Sequence, residues 1–246
     1  MFSNINSSIL IRRNLKIRHS LSVRLKSQNL LALYLWYGML LHSGAPSRGD
    51  STPQEFPQHT LAVALTGLKM LNNMATLNLD MLQKTLGEEG MSLEFRHISS
   101  YLMWYCTQSS EELLHEVILC VGYFTLLNPD NQVVIQSGQP PTILQQMCSL
   151  PFQYFSDPRL TNVLFPTLIA CCYNNSSNRE ILEQELSCML LANFIEEKQL
   201  ENQQAKLLPS SKKDKEKIKD SDTRMSLATR FPPEKWTCAQ EYFKIS

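Results

Sequence analysis

Glycine and proline are scarce, eight and twelve in 246 residues, which excludes collagen-like and low-complexity chains. Neither sign of charge is in excess: Lys plus Arg and Asp plus Glu number 23 each, so no global field advertises a nucleic-acid or membrane partner. The seven cysteines are odd in number and irregularly spaced, which argues against a secreted disulfide framework. No apolar run reaches the roughly 20 residues that cross a bilayer; Leu30–Leu41 (LLALYLWYGMLL) and Val117–Leu127 are the longest. Chemical signatures are missing too: there is no G-x-S-x-G, H-E-x-x-H, G-x-G-x-x-G, Walker lysine or C-x-x-C. The five histidines are scattered, and a predicted helix break at 107–110 separates Cys106 from His115. Cys120, Cys148, Cys171 and Cys188 lie in apolar stretches, where cysteine behaves as a small hydrophobe. These absences predict no enzyme, no cofactor and no metal.

What the chain does contain is helical pattern. Leu61, Leu65, Leu68, Leu71, Leu77 and Leu82 predict a helix over 59–86, broken by Gly87 and Gly90. Ser92, with Glu94 behind it, opens the next helix, and Ser109 or Ser110 before Glu111 and Glu112 opens a strongly apolar one. That helix ends at Asn128-Pro129, because proline restricts the residue before it. Later helices are predicted near 142–150, 158–173 and 178–200. The charge-dense KLLPSSKKDKEKIKD (Lys206–Asp220) has little to bury and predicts a disordered lysine-rich linker. A short C-terminal helix near 233–243 offers Trp236, Ala239, Tyr242 and Phe243 for docking. The expected organisation is a basic lead-in (1–28), a helical domain (29–203, with a loop at about 43–58), a disordered charged linker (204–222) and a docking helix (223–246).

An internal repeat gives the helices an order. Val117–Cys148 aligns with Leu164–Ile195 at a constant offset of 47, which sets Asn128 on Asn175, Asn131 on Asn178 and Val134-Ile135 on Ile181-Leu182. The scale matches armadillo and HEAT units, which stack because one unit cannot bury its own apolar face. The fold class expected is all-α, an armadillo/HEAT-like α-solenoid, with a generic helical bundle as the competing reading. In a solenoid, polar side chains on the last helix of each unit can hold an extended peptide. Gln146 and Asn193, at matching places, are the candidate partner-binding residues; the plainer reading is a polar coat on an exposed face.

Met1–Gly49 carries seven basic residues and no acidic one. Three readings stay open for it. It is a solvated lead-in to a buried helix. Alternatively it is a targeting segment, mitochondrial or secretory, with Leu30–Leu41 as its apolar part. Or Arg12, Arg13, Lys16, Arg18, Arg24 and Lys26 contact the phosphates of RNA or an acidic lipid surface.

The stretches MSLEFRHISSYLMWYC (Met91–Cys106), EELLHEVILCVGYFTLLNPDNQVVIQSG (Glu111–Gly138), LPFQYFSDPRLTNVLFPTLIACCYNN (Leu150–Asn175) and ILEQELSCMLLANFI (Ile181–Ile195) resemble the C-terminal region of the SCAPER family, the S phase cyclin A-associated proteins of the endoplasmic reticulum. RFPPEKW, followed by Tyr242-Phe243, resembles the family's end. Two places depart from that pattern: the lysine-rich Lys206–Lys219, and Met1–Ser20, which reads as an alternative start or a gene-model artefact. The resemblance implies a fragment or short isoform of a longer scaffold. The family's cyclin-interacting segment, coiled coil and C2H2 zinc finger lie upstream of the matched region and are absent here. It implies protein partners rather than a substrate: an adaptor in ribosome-linked regulation of tubulin mRNA that brings a deadenylase complex to translating ribosomes. The family is also linked to the cell cycle, and the location implied is the cytoplasm, at the endoplasmic reticulum surface. The resemblance assigns no site residue.

Overall fold

The computed structural model describes residues 58–207 and 224–245. The lead-in, Leu30–Leu41, the loop at 43–58 except its last residue, and most of the expected linker lie outside the described residues. Every regular element among the described residues is helical, and no strand occurs there.

Capping residues set the helix boundaries. Helix α1 (Gln58–Leu77) stops where Asn78 turns its side chain to accept from Met81 N, which starts α2 (Leu79–Gly87). One expected helix over 59–86 is therefore two, since apolar spacing continues across a cap that interrupts the backbone. Gly90, at φ 85°, precedes α3 (Met91–Ser109). Ser110 caps α4 (Glu111–Thr125), with Glu111 and Glu112 in its first turn. Asn128 caps α5 (Pro129–Gln136), and Thr142 and Gln145 form a capping box on α6 (Ile143–Cys148). A single turn, α7 (Gln153–Ser156), leads to Asp157, which caps α8 (Pro158–Cys172). Asn175 caps α9 (Ser176–Glu185). The helix expected over 178–200 breaks between α9 and α10 (Met189–Leu207), and α10 runs past the expected start of the linker at 204. After residue 223 come α11 (Leu227–Arg230), a 3-10 turn at Pro233–Lys235 and α12 (Trp236–Lys244).

Backbone contacts divide the chain into residues 1–67 and 68–246. Of the first unit only the start of α1 is described; there Thr66 Oγ1 donates back to Ala62 O at 2.8 Å. The second unit is organised around α4, whose residues from Glu116 to Thr125 are all buried. It packs on α2, α3 and α8. Gly122 permits the close crossing with α8: a Cβ there would lie 2.6 Å from Thr167 Oγ1, which donates to Ile118 O across the interface at 3.0 Å.

The 47-residue offset recurs in the hydrogen bonds. Asn131 Nδ2 donates to Phe124 O (2.9 Å) and Gln83 O (3.3 Å); Asn178 Nδ2 donates to Cys171 O (2.7 Å) and Gln132 O (3.1 Å). Gln83 Nε2 donates to Tyr123 O and Leu126 O, as Gln132 Nε2 does to Ala170 O and Tyr173 O. Asn128 and Asn175 then donate to the Oε1 of Gln83 and Gln132 respectively. Each clasp gives a turn's buried carbonyls a donor from a helix earlier in the chain, as burial of polar backbone requires. The residue before each capping asparagine is left-handed, Leu127 at φ 52° and Asn174 at φ 59°.

The C-terminal segment closes over α8 and α10. Arg224 Nη2 reaches the buried Glu116 carboxylate at 3.2 Å, which also accepts from Asn72 Nδ2 at 2.7 Å. Leu227, Phe231, Trp236, Ala239 and Phe243 are buried, and Trp236 Nε1 donates to Phe231 O. Tyr242 packs edge-on to Tyr173 beneath the Arg179 guanidinium.

Candidate interaction surface

Helix α3 presents one stripe outward at Leu93, His97, Tyr101, Trp104 and Gln108, spaced by three and four residues. Leu93, His97 and Gln108 are exposed, while Tyr101 and Trp104 are half-buried with ring centroids 5.7 Å apart. Helix α6 runs beside α3, and two side chains tie α3 to α6 and to the segment between α5 and α6. Arg96 Nη1 donates to Ser137 Oγ at 2.8 Å, beside Gly138 at φ 99°, and Gln146 Nε2 donates to Ser100 Oγ at 2.7 Å and Pro141 O at 3.1 Å.

Gln146 is therefore no outward, open amide as the repeat suggested: it is half-buried, and its nitrogen is committed within the chain. Asn193 is exposed on α10. The two are not brought into one hydrogen-bonded group. Arg12, Arg13, Lys16, Arg18, Arg24 and Lys26 lie outside the described residues.

A cleft of about 250 Å³ opens where α3 ends and α4 begins. Leu114, Pro151, Tyr154 and Leu160 supply its apolar lining, with Ser110 and Glu111 among the polar residues. Below Glu111, His115 Nε2 lies 3.0 Å from Tyr154 Oη and 3.7 Å from the Glu111 carboxylate. Burial lowers the His115 pKa against the opposing pull of Glu111, Glu116 and Glu112, so the ring is neutral near pH 7. Burial raises the Tyr154 phenol in the same way. Phe152, between two lining residues, is 79% exposed. Periodicity missed this corner because Phe152 falls in the short piece between two predicted helices, and Glu111 reads as an ordinary helix-start charge.

Burial pushes the thiols of Cys106, Cys120, Cys148 and Cys171 up to about 12, so they stay protonated at neutral pH and are poor nucleophiles. Among the described residues no group of three or more His, Cys, Asp or Glu side chains could hold a metal ion, and no helix is long and apolar enough to cross a membrane. The overall neutrality conceals a segregation: between Gln58 and Leu207 fifteen carboxylates stand against seven Lys and Arg.

No protein-family model matches the chain. It is 49% identical over 213 residues, 86% of its length, to the human (Homo sapiens) S phase cyclin A-associated protein in the endoplasmic reticulum, and spans only 15% of that protein's length. With half of the residues identical over 86% of its length, the chain is similar to a limited part of a much longer protein of the SCAPER family.

Proposed function

We infer that the chain is a non-catalytic helical adaptor whose units stack in armadillo-like order and hold a protein partner along the α3–α6 face. One observation carries this reading: the amide clasp of Gln83, Asn128 and Asn131 recurs as Gln132, Asn175 and Asn178, tying each turn to the unit before it. Such nearest-neighbour bonding is what a stacked array uses, and it leaves Leu93, His97 and Gln108 of α3 exposed. The relative is by name cyclin A-associated and of the endoplasmic reticulum. With the adaptor role goes the cytoplasmic face of that membrane, and the family's part in bringing a deadenylase complex to translating ribosomes for tubulin mRNA decay. The test is co-sedimentation of the full chain with ribosomes over a salt series, with pull-down of deadenylase subunits. Retention that falls with salt is expected; a chain that stays in the supernatant at low salt and recovers no partner contradicts the reading.

A second reading is favoured by one feature, the acid-free basic run from Arg12 to Lys26. The carboxylate excess of the helical body repels phosphate, so direct RNA binding rests on that run, with a steep salt dependence. Deleting residues 1–28 should then remove RNA affinity; unchanged affinity eliminates this reading.

A further inference from the structure

The geometry points to the cleft between α3 and α4 as the receptor for one lysine or arginine side chain of an extended peptide, with Phe152 as the apolar contact beside it. This deepens the adaptor reading and rests on it. Leu114, Pro151 and Leu160 suit the aliphatic stem of a long cationic side chain, which buries its methylenes and keeps its head polar. The head meets Glu111. That carboxylate lines the cleft and has no lysine or arginine partner among the described residues, where Lys69 pairs with the neighbouring Glu112. Among the described residues its basic neighbour is His115 at 3.7 Å, a ring that burial keeps neutral.

The end of α3 favours the same charge. Its last turn contains no basic residue, and Thr107, Gln108 and Ser109, whose carbonyls end the helix, all line the cleft. A helix C-terminus carries partial negative charge and attracts cations, while the α4 N-terminus on the other wall carries the opposite partial charge, so the Glu111 carboxylate sets the preference. No lysine or arginine among the described residues lines the cleft. Phe152 completes the surface: an aromatic ring 79% exposed beside the exposed Glu111 carboxylate offers an apolar contact next to a charged one. An acidic peptide or a nucleic-acid phosphate meets repulsion here, and a purely apolar peptide buries Glu111 without a partner.

Fluorescence anisotropy on the full chain tests this with three labelled short peptides that differ at one position between leucines: arginine, citrulline or glutamate. Arginine should bind about tenfold tighter than citrulline, the size expected of a charge-assisted hydrogen bond, and glutamate more weakly than either. Glu111→Gln should erase the preference for arginine, and Phe152→Ser should weaken the arginine and citrulline peptides by a similar factor. Both side chains are exposed, so helical circular dichroism should be unchanged. Equal binding of arginine and citrulline, no measurable binding of the arginine peptide, or a preference that survives Glu111→Gln overturns the assignment. If the cleft fails in this way while the wild-type chain still co-sediments with ribosomes, the adaptor reading stands without it; a wild-type chain that captures nothing is the failure of that reading.

Discussion

Arg230 Nη2 lies 3.3 Å from the carbonyl oxygen of Asn162, the oxygen that Pro166, four residues on, has no N–H to engage. The same nitrogen donates to Val163 O at 2.8 Å. An arginine of the C-terminal segment thus supplies the donor missing from the middle of α8. Among the described residues it is buried with no counterion and with Nε and Nη1 unpartnered, and burial lowers its pKa to about 10. The two residues should be coupled. Pro166→Ala restores the helical donor, so Arg230→Met should cost less in that background, by about 1 kcal/mol or more in a double-mutant cycle. Urea unfolding of the four proteins measures this, and additive costs contradict the pairing.

The repeated clasp predicts equal consequences at distant positions. Asn131 and Asn178 each donate both their bonds to buried carbonyls, so Asn131→Asp and Asn178→Asp set a carboxylate against acceptors. Each should cost about 3 kcal/mol or more, against about 1–3 kcal/mol for the alanine variants. A loss at one site only, read by denaturant midpoint, contradicts the equivalence of the two turns.

Much of this architecture can be read from the chain itself. Asn128-Pro129 and Asn175 mark two turns, and the offset of 47 places them together, because a capping asparagine is a local signal. The glutamines are not found that way. Gln83 and Gln132 are 49 residues apart, so a fixed-offset alignment slides past the partners that complete the clasp. Arg230 and Pro166 are equally silent: only the fold brings a residue at one end of the chain to an orphaned carbonyl far upstream. Gln146 illustrates the reverse problem. Helical spacing sets it off the α6 core, but spacing cannot say that Ser100 waits there to bind it.

Gly122 marks the tightest approach of α4 and α8. Its Cβ would lie 2.6 Å from Thr167 Oγ1 and 3.4 Å from the Thr167 backbone, so Gly122→Ala should destabilise by about 1–3 kcal/mol. Thr167→Ala in addition should recover part of that loss in thermal melts, because the nearer clash is with a side chain.

Leu127 occupies a left-handed conformation at φ 52° that its counterpart Asn174 adopts at less strain. Leu127→Asn should therefore raise stability by about 0.5–1 kcal/mol, seen as a melting temperature a few degrees higher. A lower melting temperature contradicts the strain.

His115 links stability to pH. Its pKa is lowered in the folded chain, so the unfolded chain binds the proton first as pH falls through about 6.5. Stability should decline over that range and level off below the folded-state pKa. His115→Gln should flatten this part of the wild-type profile, and superimposable profiles contradict a buried neutral ring.

The account turns on whether the outer stripe of α3, rather than the basic lead-in, holds the partner. Ribosome co-sedimentation of three full-fold proteins decides it most directly: wild type, the chain lacking residues 1–28, and the variant Leu93→Glu with His97→Glu, both at exposed positions. The prediction is that the truncated chain pellets with ribosomes as wild type does and the doubly substituted chain stays in the supernatant. A truncated chain that no longer pellets, beside a doubly substituted one that does, contradicts it.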